Sequence, residues 1–273
     1  MRVSVSNIAW APEDDARAAD VLTSLGVEAV EVAPTTRWAD PARVPPDEAR
    51  AYRASWAERG LEVSSLQALL YGRDDLKLFA DEGVRTALHA HLVGVARLAA
   101  ELGAGPLVFG SPKNRLKGTL SPAEARERAV VFFRDVAEAI QPLGTVLVLE
   151  ANPSEYGADF VTHTHDMVDL VEAVDHPAFG AHLDLGGMQI AGEPVTEWVA
   201  RSAHVLRHVH VSEPYLAPVG ASRLDHHAVA DALRHVGYEG WISIEMRRDA
   251  ERDPVDSVAD AARRVVAAYG EPR

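Results

Sequence analysis

Four side chains that can bind a metal ion lie in or directly after apolar segments in the second half of the chain. Glu150 ends VLVLE, Asp184 lies in AHLDLGG, His210 lies in RHVHVSE, and Glu245 ends WISIE. Burying an ionised carboxylate costs free energy unless water or a cation compensates for its charge. Successive members of this set are roughly 26 to 35 residues apart, about one strand and one helix, so all four can meet at one rim of a repeating α/β fold.

Three converging carboxylates repel one another, so either their pKa values rise or a cation lies among them. Carboxylate oxygens with one imidazole nitrogen suit Mn²⁺, Mg²⁺ or Co²⁺, and Zn²⁺ is an alternative. A single acidic residue at a strand end is more often a solvated terminus or a helix cap. Four successive segments that each deliver such a side chain favour one shared metal site.

Short segments rich in β-forming residues alternate with longer segments of helical periodicity. Eight strands alternating with eight helices predict a single (β/α)8 TIM barrel, and we expect one domain over residues 1–273. An open doubly wound sheet is the alternative, but the first turn, SNIAWAPED, lacks the Gly-rich phosphate loop of that fold. The predicted strands are 2–7, 29–34, 62–69, 106–112, 146–153, 179–187, 206–213 and 241–247, and the predicted helices are 12–25, 46–59, 81–103, 121–140, 164–174, 195–204, 226–236 and 253–269.

Composition limits the classes of function. The chain has 27 Lys plus Arg, 41 Asp plus Glu, a formal net charge of −14 and no cysteine. An acidic protein repels nucleic acids and anionic membranes, so neither is an expected partner. Thiolate nucleophiles and cysteine-based zinc sites are excluded. No signal peptide or bilayer-spanning segment is evident in the sequence, so we expect a cytoplasmic protein.

The segments VLVLEAN, AHLDLGG, RHVHVSEP and GYEGWISIEM resemble the xylose isomerase-like barrel superfamily, in particular its sugar-phosphate isomerase/epimerase branch with the ketose 3-epimerases. The resemblance covers essentially the whole chain. It implies that Glu150, Asp184, His210 and Glu245 bind one divalent ion, with Mn²⁺ favoured over Mg²⁺, Co²⁺ and Zn²⁺. It also implies that Glu150 and Glu245 are the catalytic acid and base, in either order, and move a proton next to a carbonyl through a metal-stabilised enediolate.

The sequence departs from the epimerases at two places. They commonly carry a histidine about three residues after the metal-binding aspartate, where this chain has Gly187. They also carry an arginine soon after the metal-binding histidine, where VSEPYLA has none. We therefore expect isomerisation or epimerisation of a carbohydrate-like small molecule, either a sugar or a sugar derivative, whose identity stays open. A metal-dependent lyase, either a dehydratase or a C-glycoside-cleaving enzyme, is the alternative.

Loop residues that follow the strands supply candidates for substrate contacts. A basic side chain can bind an anionic or polar sugar group, and a tryptophan can stack on a sugar ring, although each can equally be a solvated or packing residue. His208 shares a strand face with His210 one step deeper, where we expect it to support the metal ligand. The predicted substrate contacts are Lys113, Arg115, Glu155, Glu213, Arg247, Trp10 and Trp38.

Two other classes of function are weaker. A DNA-repair enzyme related to endonuclease IV needs several metals and more histidines, which predicted strands three and four do not supply, and the acidic charge opposes DNA binding. The complete set of four candidate ligands argues against a non-catalytic binding barrel. Relatives often form dimers or tetramers, so the resemblance alone implies a homo-oligomer.

Overall fold

Eight parallel strands form a closed barrel in the computed structural model, which describes residues 1–270. Each strand pairs with the next in sequence, and β1 pairs with β8. Right-handed crossovers place the connecting helices on the outer face of such a sheet. The predicted (β/α)8 barrel is confirmed. The strands are β1 (Arg2–Ser6), β2 (Ala29–Val32), β3 (Glu62–Leu66), β4 (Pro106–Phe109), β5 (Val146–Glu150), β6 (Phe179–Asp184), β7 (Leu206–Ser212) and β8 (Trp241–Glu245).

Local capping fixes where several helices begin and end. The Asp81 side chain accepts a hydrogen bond from the Val84 backbone, and Ser121 with Glu124 forms a capping box. Gly103 ends α3 in the left-handed region, at φ 80°. The helices are α1 (Asp15–Ser24), α2 (Pro46–Ala57), α3 (Glu82–Leu102), α4 (Pro122–Ile140), α5 (Thr164–Val174), α6 (Leu185–Ile190), α7 (Val195–Ser202), α8 (His226–His235) and α9 (Pro254–Tyr269).

Several strands end earlier than the sequence predicts. β5 ends at Glu150 instead of residue 153, and β6 ends at Asp184 instead of residue 187. Asp184 caps the short helix α6, whose presence the sequence pattern did not predict. The residues after Glu150 therefore belong to a loop, and those after Asp184 to α6, both at the C-terminal edge of the barrel, where side chains can turn toward a ligand.

The apolar core lies between the strands and the helices. The buried Phe133 of α4 stacks on Phe179 of β6 with their ring centroids 4.9 Å apart. The barrel interior, by contrast, holds buried polar side chains, including Glu31, Ser65 and His208. Within residues 1–270, no helix has the length and apolar character needed to cross a membrane.

Candidate metal centre and active site

The C-terminal ends of β5 to β8 bring the four predicted ligands together. Asp184 on β6 pairs in register with His210 on β7, and Glu150 and Glu245 are the last residues of β5 and β8. His210 Nδ1 lies 3.1 Å from Glu245 Oε2 and 4.0 Å from Asp184 Oδ2. One ligand atom each from Asp184, His210 and Glu245 lies within 4.8 Å of the other two, so a single ion could contact all three.

Glu150 lines the same cavity as Asp184 and Glu245. Burial, followed by the negative charges of Asp184 and Glu245, raises the pKa of Glu150 to about 8. Burial and the charge of Glu245 likewise raise the pKa of Asp184 to about 6. The cluster therefore holds more negative charge than the surrounding protein compensates.

Hydrogen bonds hold two of these carboxylates in place. Asp184 accepts a 2.6 Å bond from the Ser212 hydroxyl and a further bond from the Gly187 backbone N–H. Glu150 accepts from the Asn152 side-chain amide. Each acidic group is thus aimed before a ligand arrives, which favours metal binding and proton transfer.

Two glycines leave room for the carboxylates. A Cβ at Gly110 would lie 2.7 Å from Glu150 Oε2, and a Cβ at Gly187 would lie 2.9 Å from Asp184 Oδ1. Both distances are shorter than van der Waals contact, so a larger residue at either position would displace the acidic group. The loop after β4 and the first turn of α6 are therefore shaped around Glu150 and Asp184.

The residues present fit a divalent cation. Three carboxylates and one imidazole form the donor set, and oxygen-rich sites of this kind suit Mn²⁺, Mg²⁺ and Co²⁺. The raised pKa values of Glu150 and Asp184 show that these groups are costly to ionise together without a positive charge between them. A bound ion would remove that cost.

A cavity of about 510 Å³ contains the cluster. Its walls include Gln67, Ser111, Tyr156, Tyr215 and Arg247 in addition to the carboxylates. The rings of Tyr156 and Tyr215 lie 5.9 Å apart, and the Tyr156 hydroxyl accepts a bond from the Tyr215 backbone. The cavity thus has an acidic floor and an aromatic wall, and its volume suits a small-molecule substrate.

A larger groove of about 830 Å³ lies on the outer surface, between α3 and α4. It is lined mainly by charged side chains such as Arg85, Glu127 and Asp135. We place the candidate active site in the smaller cavity because that is where the hydrogen-bonded acidic groups with raised pKa converge.

Unusual backbone conformations concentrate at the same cavity. Ala68, Ser111, Tyr215 and Leu216 line it and have φ values of 52°, 38°, 59° and 57°. Residues other than glycine adopt this left-handed region at a cost, and such strain tends to be retained where it serves a site.

The structure places only one predicted substrate contact, Arg247, in the cavity lining. Trp10 and Trp38 are buried, and their indole N–H groups donate to Asp15 and Glu48. Both tryptophans pack within the protein, so their rings are not presented to a ligand in this conformation.

The other predicted contacts also lie outside the lining. Arg115 is 1% exposed and donates to the Glu150 carbonyl and to Asn152, so it supports the end of β5 and the loop that follows it. Glu213 is fully buried and accepts from the backbones of Gly220 and Ser222. Lys113 and Glu155 are exposed, and neither lines the cavity.

The sequence pattern did not predict several residues of this region. Gln67 and Tyr215 line the cavity, Asn152 bonds Glu150, and Glu31 lies buried beneath His210. The signal for Glu31 was a lone acidic residue inside the apolar strand AVEV. Gln67, at the end of EVSSLQ, had the same position relative to its strand as the predicted ligands.

Sugar epimerases are among the proteins most similar to this chain. A ketose 3-epimerase from Arthrobacter globiformis is 25% identical over 196 residues, 71% of this chain and 66% of that protein. A D-psicose 3-epimerase from Ruminiclostridium cellulolyticum is 26% identical over 119 residues, 44% of this chain and 40% of that protein. The matched regions therefore span less than two thirds of the length of either relative.

Solved structures show the same fold. A D-psicose 3-epimerase crystallised with D-fructose has a TM-score of 0.81 at 18% identity, covering 99% of this chain and 100% of that one. A 3-keto-D-glucoside 4-epimerase from E. coli has a TM-score of 0.76 at 20% identity, covering 98% and 99% of the two chains. All these relatives are named as epimerases, which supports the prediction of an isomerase or epimerase.

The resemblance inferred from the four strand-end segments is confirmed at the level of the family. The family described as xylose isomerase-like TIM barrel matches residues 19–268, and this chain belongs to it.

Proposed function

We propose that the chain is a divalent-metal-dependent isomerase or epimerase of a keto sugar or sugar derivative. The observation that carries this proposal is that Glu150, Asp184 and Glu245 line one cavity, with His210 buried beside Asp184 and Glu245. The names of the relatives, a ketose 3-epimerase and a 3-keto-D-glucoside 4-epimerase, support a keto sugar as substrate.

Two carboxylates have the placement that proton transfer requires. Glu150 and Glu245 line the cavity from β5 and β8, with two strands between them, so they approach a bound sugar from different directions. One removes the proton next to the carbonyl and the other returns it, and the face or carbon that receives it decides between epimerisation and isomerisation. A divalent ion, with Mn²⁺ favoured, would polarise the carbonyl when bound.

The remaining lining residues orient the substrate. Tyr156 and Tyr215 line the cavity, so their aromatic rings are assigned to contact the apolar side of a sugar. Of the lining residues that the structure describes, Arg247 alone carries a positive charge, so we assign it to an anionic or strongly polar substrate group.

Solvent exchange tests the proposal directly. Metal-loaded and EDTA-treated protein are incubated in D₂O with a panel of ketoses, inososes and keto sugar acids, and deuterium at carbon is measured by NMR. We expect exchange only with metal, and its loss in Glu245→Gln. Glu62→Gln is the matched control, because Glu62 is exposed at the opposite end of the barrel. Exchange at the normal rate in Glu245→Gln, or none in the wild type with any substrate, would contradict the proposal.

The product distinguishes the proposed reaction from its alternative. A lyase would remove the same proton and then expel a neighbouring group, so its product would have lost water or an aglycone. An isomerase or epimerase product has the mass of the substrate when the reaction runs in H₂O. Mass spectrometry of the product therefore separates the two.

A further inference from the structure

Glu31 is a fully buried carboxylate in the centre of the barrel, directly beneath the cavity. Its side chain is 0% exposed and projects from the middle of β2. A charge in this position must be compensated by the protein, because no water reaches it. The contacts that compensate for it link Glu31 to the candidate metal centre.

Hydrogen-bond donors surround Glu31 from several strands. Oε2 accepts from the Ser65 hydroxyl at 2.6 Å and lies 2.8 Å from His208 Nε2. Oε1 accepts from the Gln67 amide and the Ser243 hydroxyl, each at 3.2 Å. Donors from β3, β7 and β8 thus hold the carboxylate rigidly, and such a network fixes the orientation of every group it contacts.

His210 lies between Glu31 and the rim. Its Nε2 is 2.9 Å from Glu31 Oε1, and its Nδ1 is 3.1 Å from Glu245 Oε2. The Nε2 contact is a close ion pair rather than a linear hydrogen bond. An ionised carboxylate accepts protons but cannot donate one, so a bare nitrogen lone pair at this distance would be repelled. Nε2 therefore carries a proton.

The consequence concerns the other ring nitrogen. Histidine binds metals through a nitrogen lone pair, and the group on the opposite nitrogen selects the tautomer. Nδ1 lies 3.1 Å from Glu245 Oε2, so by the same argument it also carries a proton in the metal-free protein. An ion that binds at the rim would displace the proton on Nδ1, whereas Glu31 retains the one on Nε2, so Nδ1 is the nitrogen that can present a lone pair to the ion. We propose that Glu31 is a positioning residue that fixes His210 with Nδ1 toward the rim, and this inference rests on the proposed metal site.

Metal affinity tests the proposal without any substrate. Mn²⁺ binding to Glu31→Gln is measured by electron paramagnetic resonance or calorimetry, and the visible spectrum of the Co²⁺-loaded protein reports the ligand geometry. We expect Mn²⁺ to bind about 10- to 100-fold more weakly than in the wild type, with an altered Co²⁺ spectrum.

Two matched controls remove other contacts of Glu31 and leave its contact with His210. Ser65→Ala deletes a donor to Oε2, and Ser243→Ala deletes a donor to Oε1. We expect both variants to lose stability and to bind Mn²⁺ within about threefold of the wild type. If they weaken Mn²⁺ binding as much as Glu31→Gln does, Glu31 has only a structural role and the proposal is overturned.

The remaining outcomes are also decisive. Mn²⁺ affinity of Glu31→Gln within threefold of the wild type would overturn the positioning role while leaving the proposed function intact. No Mn²⁺ binding by the wild type would overturn both.

If Glu31→Gln does not fold, the wild type answers the question. Nitrogen-15 NMR of the histidines in Mg²⁺-loaded protein, assigned with a His210→Gln variant, reads the tautomer of His210. A proton on Nε2 supports the proposal, and a proton on Nδ1 overturns it.

Discussion

Two buried acidic regions of this barrel differ in how their charge is compensated. The rim carboxylates, Glu150, Asp184 and Glu245, converge on the cavity, and burial with mutual repulsion raises the pKa of Glu150 to about 8. In the interior, burial acts on Glu31 in the same direction, but His210 and His208 outweigh it and hold the pKa of Glu31 well below its ordinary value. Burial therefore raises the pKa of both carboxyl groups, and the charged partners of each decide whether its net shift is upward or downward.

The difference lies in the partners that the chain supplies. Glu31 has two imidazoles within 2.9 Å and three further donors. Glu150 has the Asn152 amide, and the nearest guanidinium, that of Arg115, bonds its backbone carbonyl rather than its carboxylate. The charge of Glu31 is compensated by groups of the protein itself, whereas the rim lacks positive charge. Acidic groups that line a cavity and whose charge has no positive partner in the protein mark a candidate functional site.

The largest expected effect comes from neutralising one rim carboxylate. Glu150→Gln removes a proposed proton-transfer group, so deuterium exchange into a keto sugar should fall about 10²- to 10⁴-fold. The same substitution relieves repulsion, so the metal-free variant should melt at least as high as the wild type. Exchange is followed by NMR and melting by calorimetry. Normal exchange in this variant would contradict the proton-transfer role of Glu150. A melting temperature many degrees below that of the wild type would show that the negative charge of Glu150 is compensated, as that of Glu31 is.

A smaller effect should follow from moving Glu150 without changing its charge. Gly110→Ala places a Cβ 2.7 Å from Glu150 Oε2, so the carboxylate must shift and exchange should fall about 10- to 100-fold. Gly105→Ala is the matched control, because it lies at the other end of β4 with nothing within 4 Å of the added Cβ. Equal kinetics for the two variants would mean that the position of Glu150 is not critical.

The rim should also dominate the pH dependence of stability. Glu150 keeps its proton in the native protein up to about pH 8, whereas in the unfolded chain it ionises near its ordinary pKa of about 4.3. Between these values the native state binds more protons, so the stability of metal-free protein falls as the pH rises. We expect a decrease of several degrees in melting temperature from pH 5 to pH 8, measured by calorimetry.

Saturating Mn²⁺ and Glu150→Gln should each flatten this profile, because each removes the uncompensated charge. A metal-free wild type whose melting temperature rises across the same range would contradict the account of the rim. The interior predicts the opposite trend, since a carboxyl with a lowered pKa loses its contribution only when the pH falls below its ordinary range.

The rim carboxylates could be predicted from the sequence because barrel topology determines where the last residue of each strand lies. Glu150 and Glu245 end apolar strands, and parallel strands of a barrel deliver their last residues to the same edge. The eight strands and their order followed from alternation alone. The ends of the strands did not follow from this alternation. Asp184 ends β6 by capping α6, and the segment LGG has no strong sequence signature of either a strand or a helix.

The contacts of Glu31 in the barrel interior could not be predicted from the sequence in the same way. Glu31 lies in the middle of AVEV, and its donors Ser65, His208 and Ser243 are scattered over the chain. Nothing in spacing shows that they meet, because that depends on strand tilt and register inside a closed barrel. The buried tryptophans after β1 and β2 show a related limit, because the sequence places an aromatic residue near the rim but does not determine the orientation of its ring.

The smallest expected effect concerns the one cation on the cavity wall. If Arg247 neutralised the rim carboxylates, Arg247→Gln would steepen the fall in melting temperature between pH 5 and pH 8 and strengthen repulsion around Glu150. We expect no such change, because the charges that act on Glu150 come from Asp184, Glu245, His210 and Arg115. Exchange into a neutral ketose should stay within about threefold, whereas a keto sugar acid should lose about tenfold in kcat/KM. A steeper pH profile would instead make Arg247 the missing positive charge and remove the need for an ion.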